Sequence, residues 1–208
     1  MITPNDTTIR VLLAEDQSMV REALAALLGL EPDIEVVVQV ARGDEVLAAA
    51  RAHAVDVALL DIEMPGCTGI EAAARLHAAL PDVKLVVLTT FGRPGYLRSA
   101  MEAGADAFLV KDAPAAQLAE AVRTVLRGER VIDPALAAAA LAEGANPLTD
   151  REREILREAA DGRTNAELAR ALHLSQGTIR NYLSTAIQKL AVRNRAEAVR
   201  AAREKGWL

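Results

Sequence analysis

The first 127 residues alternate between short apolar runs and longer stretches in which apolar residues return every three or four positions. The short runs cover residues 9–14, 35–41, 55–60, 85–89 and 107–110. They are rich in Val, Ile and Leu and too short for an ordinary helix, so they predict strands. Between them, residues 18–30, 44–53, 69–79, 95–103 and 116–127 keep the 3.6-residue period of amphipathic helices. Five such strand-helix units predict a parallel sheet covered on both faces. The pattern then changes. Asp133-Pro134 predicts a cap and first helical turn, Gly144 predicts a stop, and the alanine-rich stretch between them reads as a short helix. Asn146-Pro147 breaks the chain again. Only helical patterns follow, near 149–161, 164–172, 175–190 and 195–205. Thr149 with Glu152, Thr164 with Glu167, and Asn194 with Glu197 have the spacing of capping boxes, and Ser175 caps alone. The very short gap between the second and third of these helices predicts a helix-turn-helix. The expected fold class is α/β. A five-stranded, parallel, doubly wound, flavodoxin-like domain spans residues 1–127, a linker with a short helix spans 128–146, and an all-α helix-turn-helix domain spans 147–208.

Charge divides along the same line. Residues 148–208 carry 12 Lys and Arg against 8 Asp and Glu, whereas residues 1–147 carry 12 against 21. A basic module behind an acidic one suits a polyanionic partner for the second. Cys67 is the only cysteine, so an intrachain disulfide is excluded, which fits a reducing compartment. The first eight residues are polar and hold no signal-peptide core. The longest apolar runs, 23–30 and 135–142, fall far short of the roughly 20 residues that span a bilayer. A soluble, cytoplasmic protein with no membrane partner is expected.

Parallel sheets bind ligands at the carboxyl ends of their strands. Glu15-Asp16 follow the first predicted strand, Asp61 follows the third, Thr89 ends the fourth and Lys111 follows the fifth. Strands 1, 3, 4 and 5 can be neighbours, so three acids and a lysine converge on one edge. Clustered carboxylates repel unless a cation joins them, and Mg2+ is a hard cation that takes oxygen ligands. Mg2+ alone does not call for Lys111 or Thr89; a phosphoryl group does. Asp61 can attack a phosphoryl donor to form an acyl phosphate. Lys111 and Mg2+ then neutralise the phosphoryl oxygens, and Thr89 hydrogen-bonds to one of them. Acids at loop starts also serve as helix caps, which accounts for any one of these residues better than for the whole edge. A phosphatase with an Asp-x-Asp nucleophile motif is the other chemistry, though here the chain reads Asp61-Ile62-Glu63.

In the stretch 175–190, Ile179, Leu183, Ala186, Ile187 and Leu190 share one stripe. The opposite face presents Gly177, Asn181, Ser184 and Gln188, flanked by Arg180 and Thr185. It is polar and free of acids, as a helix entering a DNA major groove requires. A solvated amphipathic helix, or a tail that grips protein, fits the stripe alone. The capped partner helix, short turn and local positive charge favour DNA.

The segments LLAEDQ, ALLDIEMPGCTGIEA, VVLTTF and GADAFLVKD resemble the receiver domain of response regulators over roughly residues 9–127. That resemblance implies that Asp61 is the phosphoacceptor. Glu15 and Asp16 match the acidic pair, with Asp16 the direct Mg2+ ligand, and the backbone carbonyl of Glu63 is a further ligand. Lys111 matches the invariant lysine, Thr89 the switch hydroxyl and Phe108 the switch aromatic. Such sites often carry two aspartates where this chain has Glu15-Asp16. Residues 147–208 resemble the LuxR-type helix-turn-helix, which together with the receiver places the chain in the NarL/FixJ class. This implies base contacts near Arg180, Asn181 and Ser184, with Gln188 on the same face and Thr178 and Lys189 serving phosphates. It further implies a sensor histidine kinase, double-stranded promoter DNA and a homodimer formed on phosphorylation. It also implies a transcriptional switch, not a metabolic enzyme.

Overall fold

The computed structural model describes residues 8–90, 94–112, 114–143 and 146–208. Its sheet contains β1 (Ile9–Ala14), β2 (Ile34–Val40), β3 (Val57–Asp61), β4 (Lys84–Thr89), β5 (Ala107–Val110) and β6 (Val131–Ile132). The strands are parallel and lie in the order β2-β1-β3-β4-β5-β6. Among the described residues the sheet therefore has six strands, where the sequence predicts five. Val131 pairs with Ala107 and Ile132 with Phe108, extending the edge beyond β5. Two residues are too few to produce a periodic signal, and only the neighbouring strand defines them.

Helices α1 (Ser18–Leu28), α2 (Val46–His53), α3 (Gly69–Ala79), α4 (Pro94–Glu102) and α5 (Ala115–Leu126) alternate with the strands. A 3-10 turn over Gly43–Glu45 leads into α2, so that helix starts two residues later than its pattern suggests. Every residue of β3 is buried, because both faces of the sheet are covered. Alternate strand residues feed two cores. Val11, Leu13, Leu59 and Leu88 pack with Leu28 of α1 and with Leu118 and Val122 of α5. Leu12, Leu60 and Leu85 pack with Val46 of α2 and Leu76 of α3. No helix among the described residues is long and apolar enough to cross a membrane.

Beyond the sheet lie α6 (Pro134–Glu143), α7 (Asp150–Ala159), α8 (Asn165–Ala171), α9 (Gln176–Lys189) and α10 (Arg195–Glu204). The packing divides the chain within α6, between Ala137 and Ala138. Helices α7 to α10 enclose a separate core built on Ile155, Leu156, Leu168, Ile179, Leu183 and Trp207. The capping boxes of Thr149 with Glu152 and Thr164 with Glu167 close reciprocally. The third differs. Asn194 accepts from the Glu197 amide at 2.9 Å, but the Glu197 carboxylate bonds the Arg193 amide, one residue early. The Arg193 guanidinium grips the same carboxylate and draws it there. The turn between α8 and α9 is closed by His173, whose φ of 54° is left-handed, and by a bond from the Leu174 amide to the Ala169 carbonyl at 2.9 Å. That conformation costs a non-glycine residue roughly 1–2 kcal/mol, which the core contacts of Leu168 and Ile179 on either side offset.

Candidate functional site

Strand register brings the polar residues together. Ala14 pairs with Leu60, so Glu15 stands level with Asp61. Asp61 pairs with Leu88, one residue before Thr89, and Thr89 pairs with Val110, one residue before Lys111. The Glu15 and Lys111 amides extend the ladder by bonding Val40 and Thr89 carbonyls at 3.1 and 2.8 Å. Four strand ends thus deliver their side chains to one edge.

The Lys111 ammonium lies 2.5 Å from Glu15 Oε2 and 2.8 Å from Asp61 Oδ1. The Glu15 contact is an ion pair by distance, without the alignment of a hydrogen bond. Glu15 is fully buried and Asp61 and Thr89 nearly so, while Asp16 is exposed. Glu15, Asp16 and Asp61 each place a carboxylate oxygen within 4.8 Å of the others. Three carboxylates against one ammonium leave an uncompensated negative charge. These all-oxygen donors fit a hard divalent cation. Burial pushes the Asp61 carboxyl up to about 6; Lys111 acts against this and the Glu15 charge adds to it. Burial works to lower the Lys111 ammonium, but the adjoining Asp61 and Glu15 carboxylates prevail and raise it.

Phe108 is completely buried in β5, paired with Val87 of β4. Glu63 is exposed in the loop after β3. Several supporting residues escape a reading of the sequence. Arg21 of α1 donates to the Glu15 carbonyl at 2.6 Å and holds the acidic loop. Thr68 and Glu71 form a reciprocal capping box at the start of α3. A Cβ on Gly69 would lie 1.9 Å from the Asp61 carbonyl oxygen, so only glycine lets α3 begin so close to that aspartate. The Thr-x-x-Glu spacing and the glycines at 66 and 69 were the available signals.

The second set of residues lies on α9. Ile179, Leu183 and Ala186 are buried and Ile187 and Leu190 partly so, as the stripe predicts. Gly177, Arg180, Asn181, Ser184, Thr185 and Gln188 are exposed. Thr178 is half-buried, with its hydroxyl 2.8 Å from that of the capping Ser175. Lys189 is placed differently from a free surface cation. Its ammonium donates to Glu152 Oε2 at 2.7 Å, and Glu152 is buried. Burial acts to raise the Glu152 carboxyl, yet Lys189 and the Thr149 amide hold it below the ordinary glutamate value.

The family model described as the response regulator receiver domain matches residues 11–123, and that of the luxR family of bacterial regulatory proteins matches residues 146–202. The transcriptional regulatory protein DesR of Bacillus subtilis is 45% identical over 96% of this chain and 98% of its own length. The solved response regulator ChrA, of a heme-sensing two-component system, is 34% identical, covers 97% of this chain and 100% of its own, and superposes with a TM-score of 0.58. A structure of two RcsB dimers bound to two parallel DNAs covers 95% of this chain and 98% of its own with a TM-score of 0.64. At 22% identity it bears on the fold alone.

Proposed function

The chain belongs to the two-component response regulators that join a receiver domain to a luxR-type DNA-binding domain, and from this premise we propose that phosphorylation of Asp61 by a sensor histidine kinase controls its reading of promoter DNA. The observation that carries the proposal is a buried Asp61 carboxylate beside Lys111, with Glu15 and Asp16 within 4.8 Å. Residues 1–127 are the receiver, 128–146 the linker and 147–208 the reader, and the protein works in the cytoplasm. Above pH 6 the nucleophilic, ionised form of Asp61 predominates. One of its oxygens attacks phosphorus, the bond to the donor imidazole breaks, and the leaving nitrogen takes its proton from solvent. Asp16, Asp61 and the Glu63 carbonyl would hold Mg2+, with Glu15 in support; the ion, when bound, would supply charge that neutralises phosphoryl oxygens. Lys111 pairs with one phosphoryl oxygen and the Thr89 hydroxyl donates to another, and this draws Thr89 toward the site. Phe108, one strand away, repacks with it, and the altered receiver surface favours a homodimer.

Dimerisation sets two α9 helices over paired half-sites and raises their effective concentration. Arg180, Asn181, Ser184 and Gln188 face base edges, while Thr178 and Lys189 serve phosphates. Treatment with acetyl phosphate and Mg2+ tests the reading. Intact mass is expected to rise by one phosphoryl group, light scattering to show a dimer, and retention of genomic fragments in a gel shift to increase. Unchanged mass, or no gain in DNA retention by the phosphorylated protein, contradicts it.

Arg180→Ala carries a separate expectation. A guanidinium near the start of α9 can pair bidentately with a guanine edge. Its loss is expected to weaken specific binding by about 1–3 kcal/mol and to relax preference at one base position. Competition between the selected site and a scrambled duplex measures this; equal weakening on both would remove Arg180 from base reading.

A further inference from the structure

Five of the ten arginines between residues 148 and 208 pair with a neighbouring carboxylate. Arg151, Arg153, Arg163, Arg193 and Arg200 pair with Glu154, Asp150, Glu158, Glu197 and Glu204. Arg195 is the first residue of α10. Among the described residues no carboxylate pairs with it, and its Nη1 donates to the Arg163 backbone carbonyl at 2.5 Å. Arg195 also lines a shallow groove of about 350 Å³ together with Asn165, Arg180, Leu183, Ser184 and Ile187. The groove holds two guanidinium groups, an amide and a hydroxyl, and no acid. Leu183 and Ile187 supply its apolar part.

We propose that this groove is a phosphate-binding site for the duplex backbone and that Arg195 is its principal ligand. The inference rests on the DNA-reading role of α9. Arg180 and Ser184 line the groove and also stand on the exposed face of that helix, so a phosphate seated here lies directly beside the bases they read. Arg195 is already oriented by the Arg163 carbonyl, so little side-chain entropy is lost when the anion arrives. A fixed phosphate contact of this kind sets the depth and angle of α9 in the groove without reading sequence. The linear sequence hides it, because Arg195 lies 15 positions from Arg180 and outside the helix-turn-helix.

The test uses the phosphorylated full chain and a random-sequence duplex across a salt series. Arg195→Gln is expected to weaken binding several-fold at low salt and to lower the slope of log affinity against log salt by about one unit. Arg200→Gln, on the same helix but paired with Glu204, is expected to leave the slope unchanged. Failure of the parent protein to bind any duplex overturns the DNA reading itself. Parental binding with an unchanged Arg195→Gln slope overturns only the groove. A weakened Arg195→Gln with an unchanged slope assigns the residue to folding and also overturns it. Should that variant not fold, footprinting on the unmutated protein decides. Phenylglyoxal modification of Arg195, read by mass spectrometry, is expected to slow when duplex is bound, with Arg200 unaffected. Undiminished reactivity at saturation rejects the site.

Discussion

Asp61→Asn is expected to be inert to phosphodonor and, in the absence of Mg2+, more stable than the parent at pH 7.5. A carboxyl that titrates near 6 in the fold and near 3.8 in the unfolded chain is bound more tightly by protons when folded. Stability therefore falls as pH rises from about 4 to 6, and at neutral pH the ionised group disfavours the fold by about 3 kcal/mol. Asp61 is only 4% exposed, so solvent screens little of this. Asparagine removes the charge and leaves Lys111 with Glu15. A gain of about 1–3 kcal/mol is expected at pH 7.5, shrinking to nothing near pH 4. Mg2+ is expected to stabilise the parent and to narrow the gap, because it binds only the folded acidic site. Urea unfolding of the receiver, followed by hydrogen exchange across β3, measures both. A variant less stable than the parent at pH 7.5, or a gap that does not vary with pH, would show that Asp61 is not held under charge stress.

That stress also explains why the acidic edge could be read from the chain. A function that needs several like charges on one edge must place them at successive strand ends, and strand ends are visible as acids or a lysine after short apolar runs. Glu15, Asp16, Asp61, Thr89 and Lys111 were legible for this reason. Their register was not. That Ala14 meets Leu60 and Thr89 meets Val110 depends on pairings between strands distant in sequence. Gly69 and Arg21 act through backbone approach and a carbonyl bond, which leave no periodic trace. β6 is too short to have a pattern and exists because β5 offers an open edge. In the helical half, the apolar stripe of α9 was sound because burial alone dictates it. The surroundings of two long cations were not legible. Lys189 and Arg195 are polar residues near helix ends in the sequence, and only the fold reveals that one meets Glu152 and the other faces a groove.

Lys189→Ala gives the second large effect, and stability registers it before DNA does. Glu152 is buried at 3% exposure and accepts from the Thr149 amide and from Lys189, both at 2.7 Å. Removing one partner of a buried pair leaves the other charge without compensation, at about 3–5 kcal/mol for a fully enclosed pair. Lys189 is 32% exposed, and water can reach the site once its side chain is gone, so a loss of about 2–3 kcal/mol is expected. The depressed Glu152 carboxyl sets the pH dependence: its contribution is present above the ordinary glutamate range of about 4.3 and is lost as pH falls below it. Glu152→Gln removes the charge but keeps a side chain able to accept from Thr149. Combining it with Lys189→Ala is therefore expected to cost less than the sum of the two single changes. Trp207 is the only tryptophan and lies in the core of α7 to α10, so its fluorescence follows unfolding of this domain alone. DNA binding is a separate reading: if Lys189 also reaches a phosphate, the folded variant loses about one unit of salt slope in addition. Additive single and double variants would show that the two side chains are not coupled. An unshifted Trp207 transition for Lys189→Ala would show that Glu152 does not need this partner.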